Sequence, residues 1–188
     1  MVDTNWCLSS SSAREALDLV DGAGRWAGYG PHYSRRTPGS KTFTGVGREI
    51  VLVTYDQTAV WAVVLQKTPA ARGTGSSRGR TGEPDKNVRW IWRNMLFRNL
   101  GTVLSSDLIR SATRETYRYW VQRYGALPSV RLRTEIGIAQ VKSSNPGFCY
   151  QMAGYTKDRI VRGKLYMWAF PPDGCAPSPA SRRQSPHA

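Results

Sequence analysis

The stretch over residues 88–124 constrains the fold more than any other part of the chain. Its first part, 88–97, is rich in apolar, aromatic and β-branched residues and predicts a buried strand. A helix of about twenty residues is predicted to begin at Ser105 and Ser106, after a short turn that contains Gly101. A strand, a tight turn and a helix start bring free backbone N–H groups together, which favours anion binding. We therefore expect the active site to be built around this segment.

The chain carries a large excess of positive charge. Lys and Arg number 27 against 13 Asp and Glu, so the formal net charge is +14 at pH 7. Charge of this size indicates a polyanionic partner, most often nucleic acid. The alternatives are a solvated basic surface or a genome-wide bias towards arginine. Apolar residues make up 40% of the 188 residues, which is typical of a globular domain with a real core.

The cysteines and the apolar runs indicate the compartment. Cys7, Cys149 and Cys175 are far apart and form no C-x-x-C pair. That spacing argues against a disulfide framework or a zinc site and fits a reducing environment. The sequence shows no long apolar run and no charged segment followed by an apolar one at its start. We therefore expect a cytoplasmic protein without a membrane partner, and no metal site is predicted.

The periodicity predicts an α+β fold. Around the segment 88–124, it indicates a first helix from about residue 12, strands over 49–55 and 60–66, a strand over 130–137, a short helix capped by Asn145 and a last strand over 164–170. This order predicts one domain over 1–170 with a single mixed, mostly antiparallel sheet and helices on both faces. The Gly/Ser/Arg-rich segment 69–87 is expected to be a flexible basic loop, and the Pro/Ser-rich segment 171–188 a disordered tail.

Two groups of basic residues are interpreted as phosphate contacts. One flanks a His-Tyr pair in a glycine-rich loop over 22–41. The other recurs at i, i+4 and i+8 along the long helix and forms a stripe opposite its apolar side, where a solvated face is an equally good interpretation. The predicted DNA contacts are Arg35, Arg36, Lys41, Arg110, Arg114 and Arg118.

Several side chains have the chemistry for group transfer. The hydroxyls of Ser105 and Ser106 at a helix start suit a phosphate or a developing oxyanion. Asp107 suits the first turn of the helix electrostatically, so a structural role is as good an interpretation as a catalytic one. His32 is a candidate base or metal ligand near neutral pH, although a loop histidine is more often merely exposed. Glu135 at a strand end is a candidate base for an amine or a contact to the donor.

Several segments together resemble a known family. The element order is similar to the GNAT acyltransferase fold, and residues 150–155 (YQMAGY) are similar to its Y-x-x-x-G-[FY] segment on the fourth helix. The Q/R-x-x-G-x-G/A phosphate loop of ordinary members is missing, and residues 98–109 (RNLGTVLSSDLI) stand in its place. With His32–Tyr33 and residues 145–150 (NPGFCY), this run resembles the phage Mom-type DNA modification proteins. The likeness covers roughly residues 30–170.

The resemblance implies a function. Mom-type proteins are GNAT-related enzymes that convert adenine in DNA to an N6-carbamoylmethyl (methylcarbamoyl) derivative, so this chain is expected to act on double-stranded DNA and to protect phage DNA from restriction in the host cytoplasm. Adenine N6 is out of reach inside a stacked duplex, so the base must be extruded, and the loop aromatics Trp26, Tyr29 and Tyr33 are candidates to stack on it. The donor is left open between acetyl-coenzyme A and another activated acyl or glycyl compound.

The resemblance also assigns roles to residues. Tyr150 matches a tyrosine that protonates the leaving group in many GNAT enzymes, with a core aromatic as the alternative. Arg98 is a candidate catalytic-site arginine, with a salt bridge to Glu135 as the alternative. The full set expected to act in catalysis is His32, Tyr33, Arg98, Ser105, Ser106, Glu135 and Tyr150. The set expected to hold the donor is Asn99, Gly101, Ser105, Ser106, Asp107 and Asn145.

Two other functions stay open. One is a conventional acetyl-coenzyme A-dependent N-acetyltransferase for a protein or small-molecule amine, against which the missing phosphate loop argues. The other is a non-enzymatic basic DNA-binding protein in which the serines and Tyr150 are purely structural. The sequence also leaves room for a homodimer.

Overall fold

The computed structural model of the protein describes residues 6–35, 37–69, 88–141 and 143–172. The predictions made for Arg36, for residues 70–87 and for residues 173–188 lie outside the described residues. The rest forms one seven-stranded sheet with three α-helices. The predicted α+β class with a single mixed sheet is therefore confirmed.

The described part of the chain contains seven strands and three α-helices. The strands are β1 (Trp6–Ser9), β2 (Arg48–Thr54), β3 (Ala59–Pro69), β4 (Val88–Asn99), β5 (Leu132–Gly137), β6 (Thr156–Val161) and β7 (Lys164–Trp168). The helices are α1 (Arg14–Asp21), α2 (Ser105–Tyr124) and α3 (Phe148–Met152). The sheet order is β1-β2-β3-β4-β5-β7-β6, in which β4 and β5 are parallel and the other neighbours antiparallel.

The two edge strands and one helix start differ from the sequence predictions. β1 has four residues, and all six residues of β6 are exposed, so neither shows the alternation that marks a half-buried strand. α3 begins after Gly147, whose φ of 84° lies in the left-handed region. The predicted cap Asn145 lies further upstream, where its carbonyl accepts a hydrogen bond from the Phe148 N–H at 3.1 Å.

Helices cover both faces of the sheet because each strand sends alternate side chains to opposite sides. Leu19 and Val20 of α1 pack with Val51 and Val53 of β2, on what we call the α1 face. The intervening β2 residues, Ile50 and Leu52, point to the other face, called the α2 face. There they pack with Leu108, Ile109, Ala112 and Trp120 of α2.

α2 is fixed to the sheet by hydrogen bonds as well as by apolar contacts. Trp61 of β3 donates its indole N–H to Thr116 Oγ1 at 2.9 Å, and the Thr113 hydroxyl lies 2.9 Å from the Tyr155 hydroxyl. Both threonines are fully buried. The long apolar side predicted for this helix is thus interrupted by polar groups that have partners, as buried polar groups require.

The middle of the sheet parts between β4 and β5. Met95 is an extra residue in β4, since Ala62 of β3 pairs with Leu96 while Val63 pairs with Asn94. The parallel pairing with β5 covers three positions, Trp92–Leu132 to Asn94–Thr134, although both strands continue beyond it. A bulge and a short parallel ladder therefore open a cleft in the sheet, which we call the β4–β5 cleft.

Candidate active site

The β4–β5 cleft combines apolar walls with a few polar groups. Its volume is about 170 Å³. An engineered cavity of about 150 Å³ holds benzene, so there is room for one ring or a short acyl group. The lining residues are Tyr33, Asn94, Met95, Leu96, Phe97, Thr134, Glu135, Ile136, Val141, Gly147, Cys149 and Tyr150.

Tyr150 lines the cleft, and its hydroxyl takes part in a buried hydrogen-bond network. The hydroxyl donates to Asn94 Oδ1 at 2.8 Å, and Thr134 Oγ1 lies 3.4 Å from the same oxygen. Burial raises the pKa of Tyr150 well above its usual value. Tyr150 therefore keeps its proton at neutral pH, and that proton is shared with Asn94.

Asn94 is the residue that organises this network, and it was not among the predicted site residues. Its Nδ2 donates to the carbonyls of Ala62 and Leu96, both at 2.9 Å, on either side of the bulge. The signal in the sequence is an asparagine inside the apolar strand, since a buried amide needs several partners. Those partners come from β3 and α3, which the sequence does not bring together.

Gly147 positions α3, and with it Tyr150. A Cβ at Gly147 would lie 2.9 Å from both Leu165 Cδ2 and Met167 Sδ of β7. The backbone also has a positive φ here, which glycine adopts without strain. The start of α3 is therefore pressed against β7, which places Tyr150 and its neighbour Cys149 at the cleft. Burial raises the pKa of the Cys149 thiol, so it stays protonated.

The loop after α1 brings Tyr33 of the predicted His-Tyr pair to the cleft, whereas His32 is not among the lining residues. Tyr33 lines the cleft and is 44% exposed. The rings of His32 and Tyr33 stack with centroids 4.3 Å apart. His32 Nδ1 lies 2.9 Å from Ser34 Oγ and accepts the Ser34 N–H at 3.2 Å. Burial and the charge of Arg98 lower the pKa of His32 to about 4, so the ring is neutral at pH 7 and is a weak base.

Arg98 holds the same loop through hydrogen bonds to backbone carbonyls. Its guanidinium donates to the carbonyls of Leu19 and Val20 at the end of α1, at 3.0 and 3.1 Å. It also donates to the carbonyls of Gly30 and Tyr29, at 2.8 and 3.3 Å. These bonds occupy the guanidinium with the backbone near His32, so Arg98 is placed to position the loop.

Glu135 lies at the wall of the cleft among three cations. Its carboxylate is 2.8 Å from Arg133, 3.8 Å from Arg93 and 3.7 Å from Lys164. The salt bridge between Arg98 and Glu135, offered as an alternative from the sequence, is wrong because each residue is held by other groups. Glu135 remains the carboxylate among the residues that line the cleft.

The turn between β4 and α2 uses its polar groups internally. Asn99 Nδ2 donates to the Val103 carbonyl at 2.7 Å and to Ser105 Oγ at 3.2 Å, and its Oδ1 accepts the Gly101 N–H at 2.9 Å. A Cβ at Gly101 would lie 2.7 Å from Thr58 Oγ1, so the turn is packed tightly against the β2–β3 turn. The polar groups of Asn99 and the N–H of Gly101 are thus used within the turn, and their predicted contact with a donor stays a prediction.

The other predicted donor residues stand apart from the cleft. Ser105, Ser106 and Asp107 form the first turn of α2, and none of them is among the residues that line the cleft. Asp107 Oδ1 lies 3.7 Å from Arg110. Asn145 is exposed and binds Ser143 Oγ through its backbone N–H at 3.2 Å. None of these four residues is among those that line the cleft.

Arg35, predicted as a surface contact to phosphate, is instead buried. Its side chain is 3% exposed and forms a 2.6 Å ion pair with Asp21. The guanidinium also donates to the carbonyls of Thr42 and Ser40, at 2.6 and 2.8 Å. Because these groups take up the guanidinium inside the fold, the prediction of a phosphate contact at Arg35 is corrected. Lys41 in the same loop is exposed.

The arginine stripe lies on the outer side of α2. Arg118 contacts Glu115 and stacks 4.1 Å above the Tyr119 ring, and Arg110 donates to the Met152 carbonyl. Arg114 is exposed. Arg110 and Arg118 therefore already have protein partners.

Comparisons of the chain with protein-family models, with curated proteins and with solved structures found no match. In the described part of the chain, no group of three or more His, Cys, Asp or Glu side chains is arranged to hold a metal ion. None of the described helices has the length and apolar character that crossing a membrane requires.

Proposed function

We propose that this chain is a transferase that adds a carbamoylmethyl-type group to adenine N6 in DNA, a modification that protects phage DNA from restriction. The observation that carries the proposal is the β4–β5 cleft with the protonated hydroxyl of Tyr150 in an apolar wall. A GNAT-like fold is part of the proposal. It is supported by the element order and by the YQMAGY segment, which ends α3 and supplies Tyr150.

The size and surroundings of the cleft suit an extruded base. About 170 Å³ accepts one ring or a short acyl group, so it fits the six-membered ring that carries N6 of adenine rather than the whole purine nucleoside with its donor. Tyr33 stands half-exposed among the lining residues, where a flipped base would meet an aromatic face. The adenine would therefore approach from the loop that holds His32 and Tyr33.

Proton transfers follow from the states of the lining groups. The adenine amine forms a bond to the methylene carbon of the donor as the bond from that carbon to the leaving group breaks, so the amine must lose a proton and the leaving group must gain one. In this proposal Tyr150 is the proton donor because its hydroxyl belongs to a residue that lines the cleft, and Asn94 orients that hydroxyl. Glu135 is the carboxylate placed to accept the proton of the amine.

The donor is an activated acyl or glycyl compound in this proposal. A conventional acetyl-coenzyme A-dependent acetyltransferase is the weaker alternative, because Asn99 and Gly101 bind each other across the turn where a diphosphate would be held. The stronger alternative is a DNA-binding protein without catalysis. It is favoured by the hydrogen bond that already joins the Tyr150 hydroxyl to Asn94, which is the pattern of a structural tyrosine.

Tyr150→Phe tests the proposal through the mass of the DNA bases. DNA from cells that express the unaltered chain is expected to contain a heavier deoxyadenosine, detected by nucleoside mass spectrometry. Loss of the Tyr150 hydroxyl should lower its amount by about 10²-fold or more, as loss of an acid catalyst does.

The matched control for this experiment is Tyr155→Phe. Tyr155 is also a buried tyrosine whose hydroxyl has a protein partner, Thr113, but it does not line the cleft. This variant should retain the modification. Unmodified DNA in cells that contain the folded, DNA-binding wild-type chain would support the non-enzymatic alternative and overturn the proposal.

A further inference from the structure

One half of the α1 face carries no described helix. The buried residues of α1 pack on β2, β3 and β4. On β5, Leu132 and Ile136 are buried in the core of the α2 face, so the alternate residues Arg133 and Glu135 point to the α1 face. Their partners on β7 are Trp168 and Tyr166. The β5–β7 part of this face is therefore lined by charged and aromatic side chains.

Cations lie over aromatic rings on this half of the sheet. The Arg131 guanidinium is 5.5 Å from the Trp168 ring centroid, and that of Arg133 is 5.3 Å from the Tyr166 ring centroid. Arg131 is exposed, and the Lys164 side chain is 54% exposed. We call this surface the basic-aromatic face and define it as Arg131, Arg133, Lys164, Tyr166 and Trp168.

The adjoining β6–β7 hairpin extends the positive charge to the edge of the sheet. All six residues of β6 are exposed. The hairpin turns at Arg162 and Gly163, whose φ values of 49° and 73° are those of a tight two-residue turn. Residues 131–135 and 156–164 together hold six Lys or Arg against the two carboxylates Glu135 and Asp158.

The basic-aromatic face begins at the wall of the β4–β5 cleft. Glu135 lines the cleft and also binds Arg133 and Lys164 of this face. A polyanion that lies along the face would therefore reach the cleft opening without crossing α1 or α2.

We propose that the basic-aromatic face and the β6–β7 hairpin bind the phosphate backbone of double-stranded DNA and guide the duplex to the cleft. Clustered cations supply the phosphate contacts, and a two-stranded ribbon fits the width of the major groove. The role of the cleft in this inference depends on the proposed function, but duplex binding at this surface does not require catalysis.

Charge removal at the face tests the proposal by fluorescence anisotropy with a labelled DNA duplex and no donor present. The double variant Arg131→Gln/Lys164→Gln should weaken binding by about tenfold or more. It should also reduce the slope of log K against log salt by about 1.8, since each lost phosphate contact removes about 0.9. The control with the same loss of charge is Arg14→Gln/Arg123→Gln on α1 and α2, which should bind as the wild type does.

A second comparison sets the face against the arginine stripe of α2. If Arg114→Gln/Arg118→Gln weakens duplex binding while the face variant binds normally, the proposal is overturned. A wild-type chain that prefers single-stranded RNA to the duplex by tenfold or more would also overturn it. Suppose that the face variant loses duplex binding while cells that express the wild type contain unmodified DNA. That pair of results would support this surface and refute only the proposed catalysis.

Discussion

The amide of Asn94 links the bulge of β4 to the proton of Tyr150. Its Nδ2 donates hydrogen bonds to two backbone carbonyls next to the bulge, and its Oδ1 accepts a hydrogen bond from the Tyr150 hydroxyl. In a buried site each of these groups would otherwise lack a partner, at a cost of about 1–3 kcal/mol apiece. The Asn94 side chain thus connects the bulge of β4 to the hydroxyl of Tyr150, the proposed proton donor.

Asn94→Ala is expected to lower the free energy of unfolding by about 3 kcal/mol. The substitution leaves the carbonyls of Ala62 and Leu96 and the hydroxyl of Tyr150 without their present partner. Urea denaturation measures the change. The control is Asn145→Ala at an exposed asparagine, expected to change stability by less than about 0.5 kcal/mol. Similar losses in both variants would contradict the assigned role.

His32 should make the protein lose stability in mild acid. Its folded pKa of about 4 lies below the ordinary value of 6.5, so the unfolded chain binds more protons between these values. The contribution of the neutral ring is complete above pH 6.5 and is lost as the pH falls towards 4, by about 2–3 kcal/mol. Urea denaturation of wild type and His32→Gln from pH 4 to 7 measures it. Parallel pH profiles would exclude the shift.

The sequence pointed to Tyr150 and His32 but not to their states. An unperturbed histidine titrates near neutral pH, which made His32 a candidate base. Its low pKa arises from burial and from Arg98, a residue far along the chain that the fold brings to the loop. The hydrogen bond between Tyr150 and Asn94 was not predicted either, because Asn94 lies next to the extra residue Met95, which the sequence does not reveal.

The short helix α3 depends on the close approach of its N-terminal glycine to β7. Gly147→Ala is expected to cost about 3 kcal/mol or more, because a Cβ there would meet Leu165 and Met167 and because φ is positive. Gly125→Ala is the matched control. That glycine also has a positive φ but nothing within 4 Å of a Cβ, so only the backbone cost of about 1 kcal/mol is expected. Thermal unfolding of both variants would show the difference, and equal costs would contradict it.

Elements with internal periodicity were predictable, and those defined by distant partners were not. α2 begins at Ser105 and spans twenty residues, as expected, because its apolar side repeats over more than five turns. β6 was missed because every residue in it is exposed, so only its pairing with β7 makes it a strand. The hydrogen bond from the Gly101 N–H to Asn99 within the β4–α2 turn was likewise not predictable from the sequence.

The charge of the whole molecule predicts how binding responds to salt. If about six phosphates are contacted, raising the salt from 50 to 200 mM should weaken duplex binding by about 10³-fold. Anisotropy titrations at several salt concentrations measure this slope for the wild type. Binding that is weak and insensitive to salt would instead indicate that the +14 charge is a solvated surface.

The layout of the molecule was predictable at low detail. A single mixed sheet follows from the order of strands and helices along the chain. The cleft does not, because the extra residue at Met95 appears only when β4 is aligned with β3. Arg35 was predicted as a surface charge because its ion pair with Asp21 forms only when the chain is folded.

The short β4–β5 ladder also divides the molecule mechanically. Three paired positions join β4 to β5, against four for each edge pair, β1–β2 and β6–β7. Parallel pairing is also slightly less stable per residue than antiparallel pairing. Under a force that pulls the strands apart sideways, the β4–β5 pairing should therefore break first, so that strands β1–β4 separate from strands β5–β7.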